Sequence, residues 1–164
     1  MPEIPEIQSR DEQPYVAIRT IVTMQSIVRA ADRTPDVYAW LAANGIAPAG
    51  PPFLKYNVID MARDLELEAG VPVDGAVAGD GEVLSGTLPA GRFATVTHLG
   101  HPDELADTTG DLLAWAGQQG LRFDVSDGPV GERWGCRVEF YLTDPREQPD
   151  MNQWETQLAF RLAD

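Results

Sequence analysis

The sequence predicts an α+β domain in which an antiparallel-rich sheet carries two helices on one face. One observation is the order strand, helix, strand, strand, which the hydrophobic patterns follow twice along the chain. The other is an offset of 75 residues at which an Ala-Trp pair, a glycine and a proline recur. The copies are Trp40 and Trp115, Gly45 and Gly120, and Pro14 and Pro89. Two such repeats, joined edge to edge about a quasi-two-fold axis, create a central cleft where a ligand site is expected.

The first repeat, predicted over residues 14–73, opens with a strand and a helix. Residues 15–22 are rich in β-branched and aromatic side chains, which favour a strand. Residues 25–44 carry apolar side chains at roughly helical spacing. Thr34-Pro35 suits the start of a helix, so we expect a kink or a restart there. Asn44-Gly45 is typical of a helix end.

Two strands over residues 53–60 and 64–70 complete this repeat as a hairpin. Residues 74–81, rich in Gly, Ala and Asp, read as a linker between the repeats. Ahead of both repeats, residues 1–13 contain two prolines and four acids, which predicts an irregular N-terminal arm. The main domain is therefore expected over residues 14–164.

The second repeat, predicted over residues 82–164, has the same order of elements. Strand signals, a helix and two further strands are expected over residues 82–100, 102–119, 136–143 and 154–162. At the common offset, Gly110 falls opposite Pro35, which suggests that the break in the helix is repeated as well.

Composition excludes several classes of partner. The net charge of −14 argues against binding to nucleic acid or to an anionic membrane surface, since both depend on clustered Lys and Arg. The opening residues lack the pattern of a secretory signal, and no apolar run is long enough to span a membrane, so a cytoplasmic location is expected. About fourteen residues precede the first predicted strand, too few for a helix-turn-helix domain.

The strand that contains Glu139 carries the candidate chemistry. Side chains of a strand alternate between its two faces, so Glu139 and Tyr141 share one face while Val138 and Phe140 share the other. A carboxylate on a largely enclosed strand must find a partner, have its pKa raised, or await a cationic ligand. The simplest alternative is a structural ion pair, for which the nearby cations are Arg137, Lys55 and Arg133.

Four segments in this order resemble the GyrI-like small-molecule-binding family, which includes the effector-binding domains of multidrug-responsive transcription regulators. They are residues 50–56 (GPPFLKY), 68–73 (EAGVPV), 88–93 (LPAGRF) and 138–145 (VEFYLTDP). The resemblance extends roughly from residue 15 to residue 162. It implies two fused β-α-β-β repeats and a cleft for bulky, often cationic aromatic compounds. Some members hydrolyse reactive cyclopropane-bearing compounds, and others are described as restraining DNA gyrase.

The resemblance also implies roles for individual residues. Glu139 matches the buried glutamate that meets the positive charge of a ligand, and Trp115, Tyr141 and Trp154 look like its stacking partners. For two further candidates the sequence leaves the orientation of the side chain open. Trp40 either lines the cleft or fills the core. Tyr56 turns toward the core if Lys55 aligns with Glu139, and toward the cleft if the register differs by one residue.

The leading prediction is a standalone cytoplasmic protein that binds a bulky hydrophobic or cationic small molecule. The alternatives are a hydrolase, with Glu139 and Tyr141 as catalytic residues, and a gyrase-restraining interaction protein. No cofactor and no metal site is predicted, because His98 and His101 suit a helix start better than a metal centre. Cys136, the single cysteine, is expected to be a buried structural thiol.

Overall fold

The computed structural model describes residues 4–60 and 62–163. Within these ranges ten strands form one sheet. They are β1 (Glu6–Arg10), β2 (Gln13–Val22), β3 (Phe53–Ile59), β4 (Leu65–Pro72), β5 (Val83–Leu88), β6 (Gly91–Leu99), β7 (Val125–Gly128), β8 (Gly131–Trp134), β9 (Arg137–Tyr141) and β10 (Glu155–Arg161). The helices are α1 (Val28–Ala31), α2 (Thr34–Ala43) and α3 (Leu105–Gln118), with 3-10 turns at Pro102–Glu104 and Met151–Gln153. None of the described helices is long and apolar enough to cross a membrane.

The order of the strands has the predicted internal symmetry. From one edge to the other the sheet runs β1-β6-β10-β9-β3-β4-β2-β5, and the β7-β8 hairpin attaches to β3. Read outward from the centre, β9-β10-β6 of the second repeat mirrors β3-β4-β2 of the first. The pairs are antiparallel throughout. The predicted α+β class with two fused repeats is therefore confirmed, and the quasi-two-fold axis passes between β9 and β3.

The helices cover one face of this sheet, which we call the helix face. Val37 and Leu41 of α2 are buried against Val16 and Val71 of the sheet. Leu112 of α3 is fully buried in a second cluster on the same face, which lies over the central strands. We call the other side the opposite face. Its own apolar cluster contains an edge-to-face pair of Phe53 and Phe140, whose ring centroids lie 5.6 Å apart.

Two short elements were not expected. The N-terminal arm, predicted to be irregular over residues 1–13, contains β1, which pairs with β6 from Glu6 opposite Thr95 to Arg10 opposite Gly91. The hairpin of β7 and β8 was missed as well. Both consist mostly of exposed, polar residues, so they lack the apolar alternation by which strands are found in a sequence. Residues 1–3 of the arm lie outside the described residues.

The break in the first helix is confirmed, and its repetition is wrong. Helix α1 ends at Ala31 and α2 begins at Thr34 with Pro35 in its first turn. Gly45 follows α2 with a φ of 66°, as expected for a helix end. Gly110, however, lies in the interior of the continuous helix α3. Glycine only weakens a helix, by about 1 kcal/mol relative to alanine, and the buried side chains of α3 outweigh that cost.

Two glycines of this fold should respond to the same substitution with opposite signs. A Cβ at Gly70 would lie 2.5 Å from the buried ring of Phe53, so Gly70→Ala should destabilise the protein by about 1–3 kcal/mol. A Cβ at Gly110 meets nothing within 4 Å, so Gly110→Ala should stabilise it by about 0.5–1 kcal/mol. Urea denaturation of the two variants measures both changes. Equal effects of the two substitutions would contradict this account of the packing.

Candidate functional site

Glu139 lies at the centre of the sheet, where the two repeats meet. On β9 it stands opposite Leu54 of β3 on one side and Leu158 of β10 on the other. Both leucines are buried in the cluster beneath α1 and α3, so Glu139 belongs to the helix face. The side chain is partly buried. The antiparallel pairing of β3 with β9 thus places a carboxylate among apolar neighbours.

Two tyrosines are the polar partners of this carboxylate. The hydroxyl of Tyr141 donates to Oε2 of Glu139 at 3.1 Å. Tyr56 of β3 also forms a hydrogen bond with Glu139. Desolvation nevertheless raises the pKa of Glu139, although both hydrogen bonds and the charge of Arg137 act to lower it. Desolvation and the neighbouring carboxylate also raise the pKa of both tyrosines, which remain donors at neutral pH.

Arg137 does not neutralise Glu139, although it points to the same face of β9. No ion pair joins the two side chains among the described residues. The guanidinium of Arg137 lies instead over aromatic rings, 4.6 Å from the centroid of Phe160 and 4.7 Å from that of Trp134. It lies 5.6 Å from the ring centroid of Tyr56. Burial lowers the pKa of Arg137.

The two other cations named for an ion pair do not pair with Glu139 either. Lys55 lies on the opposite face, where its Nζ is 3.6 Å from a carboxylate oxygen of Glu68. Arg133 lines a cavity with Lys55 and Glu68. The simple alternative of a structural ion pair at Glu139 is therefore wrong for the part of the chain that the structure describes.

Tyr56 faces the carboxylate because of the strand register. The alignment of Lys55 with Glu139, which would turn Tyr56 away, is displaced by one residue: Leu54 stands opposite Glu139 and Lys55 opposite Val138. Tyr56 shares the face of Leu54 and is buried. The alignment that matched Asp60 with Asp144 failed because β3 has an irregularity in its pairing with β4 between Tyr56 and Val58. Counting back from Asp60 across this irregularity gives a register that is wrong by one residue.

The tryptophans named as candidates occupy different places. Trp115 of α3 packs, partly buried, on the apolar cluster that surrounds Glu139. Trp154 precedes β10, and its indole Nε1 donates to the carbonyl of Gln148 at 2.7 Å. Trp40 packs in the separate cluster beneath α2. The structure thus brings together Glu139, Tyr141 and Tyr56, adds Trp115 to their surroundings, and separates Trp40 from them.

Trp134 is the aromatic residue that sequence reasoning missed. It is buried, and its ring contacts Phe160 as well as Arg137, with ring centroids 5.7 Å apart in the first case. Trp134 ends β8, in a hairpin whose sequence pattern predicts strands only weakly. The sequence therefore contains no indication that its ring contacts Arg137, apart from the short distance between the two residues along the chain.

Glu139 does not line either of two cavities formed by the described residues. One, of about 240 Å³, lies along β1 and β6 and is lined by Glu6, Gln8 and Thr97 among others. The second, of about 430 Å³, lies on the opposite face of β2, β3 and β4. The helix-face cluster that contains Leu54 and Leu158 is covered by partly buried apolar residues of the α1 and α3 regions, which include Ile27, Ala31 and Leu113.

The histidines serve the start of α3, as their spacing suggested. Nδ1 of His101 accepts from the backbone N–H of Asp103 at 3.1 Å. Nδ1 of His98 lies 2.7 Å from the hydroxyl of Thr108 in the first turns of α3. Within the described ranges no three His, Cys, Asp or Glu side chains are grouped as metal ligands would be. Cys136 is buried, and burial raises the pKa of its thiol to about 11.

Comparison with known proteins gives one family and several similar folds. The model of the GyrI-like small molecule binding domain matches residues 4–163. No curated protein matches the chain. Among solved structures, the EcmrR C-terminal domain superposes with a TM-score of 0.79 at 17% identity, covering 98% of each chain. In the EcmrR–DNA complex the chain spans 57% of the EcmrR chain.

Two further structures share the fold at low identity. SAV2435 bound to tetraphenylphosphonium has a TM-score of 0.64 at 11% identity, with 98% of this chain and 94% of that chain covered. A hydrolase from Listeria innocua has a TM-score of 0.64 at 15% identity, with coverage of 97% and 91%.

Replacing the carboxylate of Glu139 should change how stability depends on pH. Because the pKa of Glu139 is raised in the folded state, folding favours the protonated form. Wild-type stability is therefore lost as pH rises from the ordinary carboxyl range through the raised pKa. Glu139→Gln, which resembles the protonated form, should match wild type at pH 4 and exceed it by about 1 kcal/mol or more at pH 8.

Urea denaturation at several pH values measures this difference. Glu155→Gln, which removes an exposed carboxylate from β10, is the control and should follow the wild-type profile. A Glu139→Gln protein less stable than wild type at pH 8 would mean that the carboxylate has a stabilising partner.

Proposed function

Since the chain belongs to the GyrI-like small molecule binding domain family, we propose that it binds a bulky hydrophobic compound that carries a positive charge. The ligand lies against the helix face and uses Glu139 as its counter-charge. One observation carries this proposal: the carboxylate of Glu139 has tyrosine partners on an apolar surface, and no ion pair among the described residues balances it.

Electrostatics supports a cation in particular. Desolvation penalises the carboxylate of Glu139 in the empty protein, as the raised pKa reflects. A cation bound beside it would offset that penalty and lower the pKa, so binding and deprotonation are coupled. The hydroxyls of Tyr56 and Tyr141 already orient the carboxylate by hydrogen bonds. Their rings and that of Trp115 are suited to cation–π and stacking contacts.

The engagement of Arg137 supports the same assignment. A guanidinium free to swing onto Glu139 would compete with any cationic ligand. Contacts with Trp134 and Phe160 hold it over aromatic rings instead. Arg137 therefore acts as a positioning residue whose charge moderates the pKa of Glu139 without blocking the carboxylate.

The similar folds agree with this ligand class. SAV2435 accommodates tetraphenylphosphonium, a bulky aromatic cation, on an architecture that this chain shares. We expect a ligand to reach Glu139 by displacing apolar residues packed on the helix face around Ile27 and α1, a helix of only four residues. The acidic net charge of −14 argues against direct contact with nucleic acid.

A hydrolase is the second candidate function, and the hydrogen bond between Tyr141 and Glu139 favours it. At 3.1 Å the two groups are close enough to share a proton, so the carboxylate would activate water while the phenol polarises the substrate. Reactive cyclopropane-bearing compounds are the substrate class to test. This candidate predicts turnover, which a binding protein does not have.

Charge selectivity tests the leading proposal. Methyltriphenylphosphonium should bind better than triphenylphosphine oxide, a neutral compound of similar shape, because only the cation meets Glu139. Glu139→Gln should weaken the cation at least about tenfold and leave the neutral compound nearly unchanged. Isothermal titration of both compounds into wild type and variant gives the four affinities, and Glu155→Gln should behave as wild type.

Product analysis with a cyclopropane-bearing substrate separates the two candidates. In a hydrolase, Glu139→Gln would retain ligand affinity and lose turnover by roughly 10²–10⁴-fold. Equal affinities in all four titrations, with no turnover by either protein, would exclude both functions for this site.

A further inference from the structure

We propose a second ligand site on the opposite face of the sheet, one that takes a small hydroxylated organic anion of the sugar-acid class. Its place is the cavity of about 430 Å³ over β2, β3 and β4, a volume within the roughly 300–1,000 Å³ of small-molecule sites. Strands and the β7-β8 hairpin supply most of the lining, so the site does not involve the helices of the helix face. The residues that matter are Arg19, Lys55, Glu66, Glu68 and Arg133.

The floor of the cavity is a preorganised polar network around Glu68. This carboxylate is 3% exposed and accepts hydrogen bonds from Tyr15 at 2.8 Å and from Asn57 at 2.6 Å. Lys55 lies 3.6 Å from the same side chain and donates to Asn57. Each polar group of the floor is thus satisfied and held in place, as a rigid recognition surface requires.

Two arginines line the cavity around this floor. Among the described residues, the guanidinium groups of Arg19 and Arg133 form no ion pair. Both side chains are exposed, so a ligand can reach them. Guanidinium groups bind the oxygens of a carboxylate or a phosphate through charge-assisted hydrogen bonds.

The charges that remain define the ligand further. Lys55 is balanced by Glu68, and Asp124 by Arg161 at 2.8 Å. Two cations, Arg19 and Arg133, are then opposed by one acid, Glu66, for which no ion pair is formed in the described residues. The surplus is a single positive charge, unusual in a chain with a net charge of −14. A monoanion neutralises it, and hydroxyl groups on that anion would donate to Glu66.

The proposal is independent of the cation site at Glu139. Side chains alternate along β3, so Leu54 and Tyr56 turn toward Glu139 while Lys55 turns toward Glu68. The two sites thus lie on opposite faces of the same strands, and each can be altered without touching the other.

Gluconate and sorbitol are the probes, since they are acyclic six-carbon polyols that differ in one terminal carboxylate. Isothermal titration or ligand-observed NMR measures the binding of both compounds. Gluconate should bind with a Kd below about 1 mM, and sorbitol should bind at least about tenfold more weakly. The double variant Arg19→Gln/Arg133→Gln, which changes two exposed side chains, should lose at least about tenfold in gluconate affinity. Arg122→Gln, at an exposed position outside the cavity, is the matched control and should bind as wild type.

Further titrations test where gluconate binds and which class of ligand the site takes. Glu139→Gln should retain gluconate binding, and the double arginine variant should retain methyltriphenylphosphonium binding. Failure of the cation to bind wild type would overturn the proposed function and leave this one standing. Gluconate binding that is absent, or undiminished in the double variant, would overturn the second site. Hexanoate or inorganic phosphate binding as tightly as gluconate would overturn the hydroxylated class.

Discussion

The antiparallel pairing of β3 with β9 is the interaction on which the rest of the molecule depends. It joins the two repeats along the quasi-two-fold axis, with Phe53 opposite Phe140 and Leu54 opposite Glu139. The first pair packs edge to face on the opposite face. The second places a carboxylate on the apolar helix face. A shift of this pairing by one residue would exchange the two faces and bury Lys55 where Leu54 now lies.

The register of β3 with β9 also determines how charged side chains are distributed between the two faces of the sheet. On the helix face the carboxylate of Glu139 is held by tyrosines, while the nearest cation is held by aromatic rings. On the opposite face Glu68 is matched by Lys55, Tyr15 and Asn57. Glu68 on β4 and Glu139 on β9, the two strands that flank β3, therefore have different electrostatic environments: the first is neutralised within the protein, and the second has no cation of its own. An unneutralised carboxylate is the property that a cationic ligand can exploit.

Much of the fold was predictable because its signals are local. The alternation of residues 15–22 and 64–70, the break at Thr34-Pro35 and the glycine after α2 are each read from neighbouring residues. The repeat at an offset of 75 then related the halves. The errors lie where local signals are weak or misleading. Strand β1 is polar because it lies at an edge of the sheet, and Gly110 reads as a breaker although the packing of α3 overrides it.

By itself the sequence determined the class of the fold, its internal repeat and the face of β9 to which Glu139 and Tyr141 belong, since a strand's alternation depends only on its own residues. Tertiary structure alone decided that Tyr56 joins them, that Arg137 is held by Trp134 and Phe160, and that Trp40 packs elsewhere. These outcomes depend on the register between strands about 85 residues apart and on an irregularity in β3. No local pattern encodes which of two adjacent registers a distant strand will adopt, because both satisfy the same alternation.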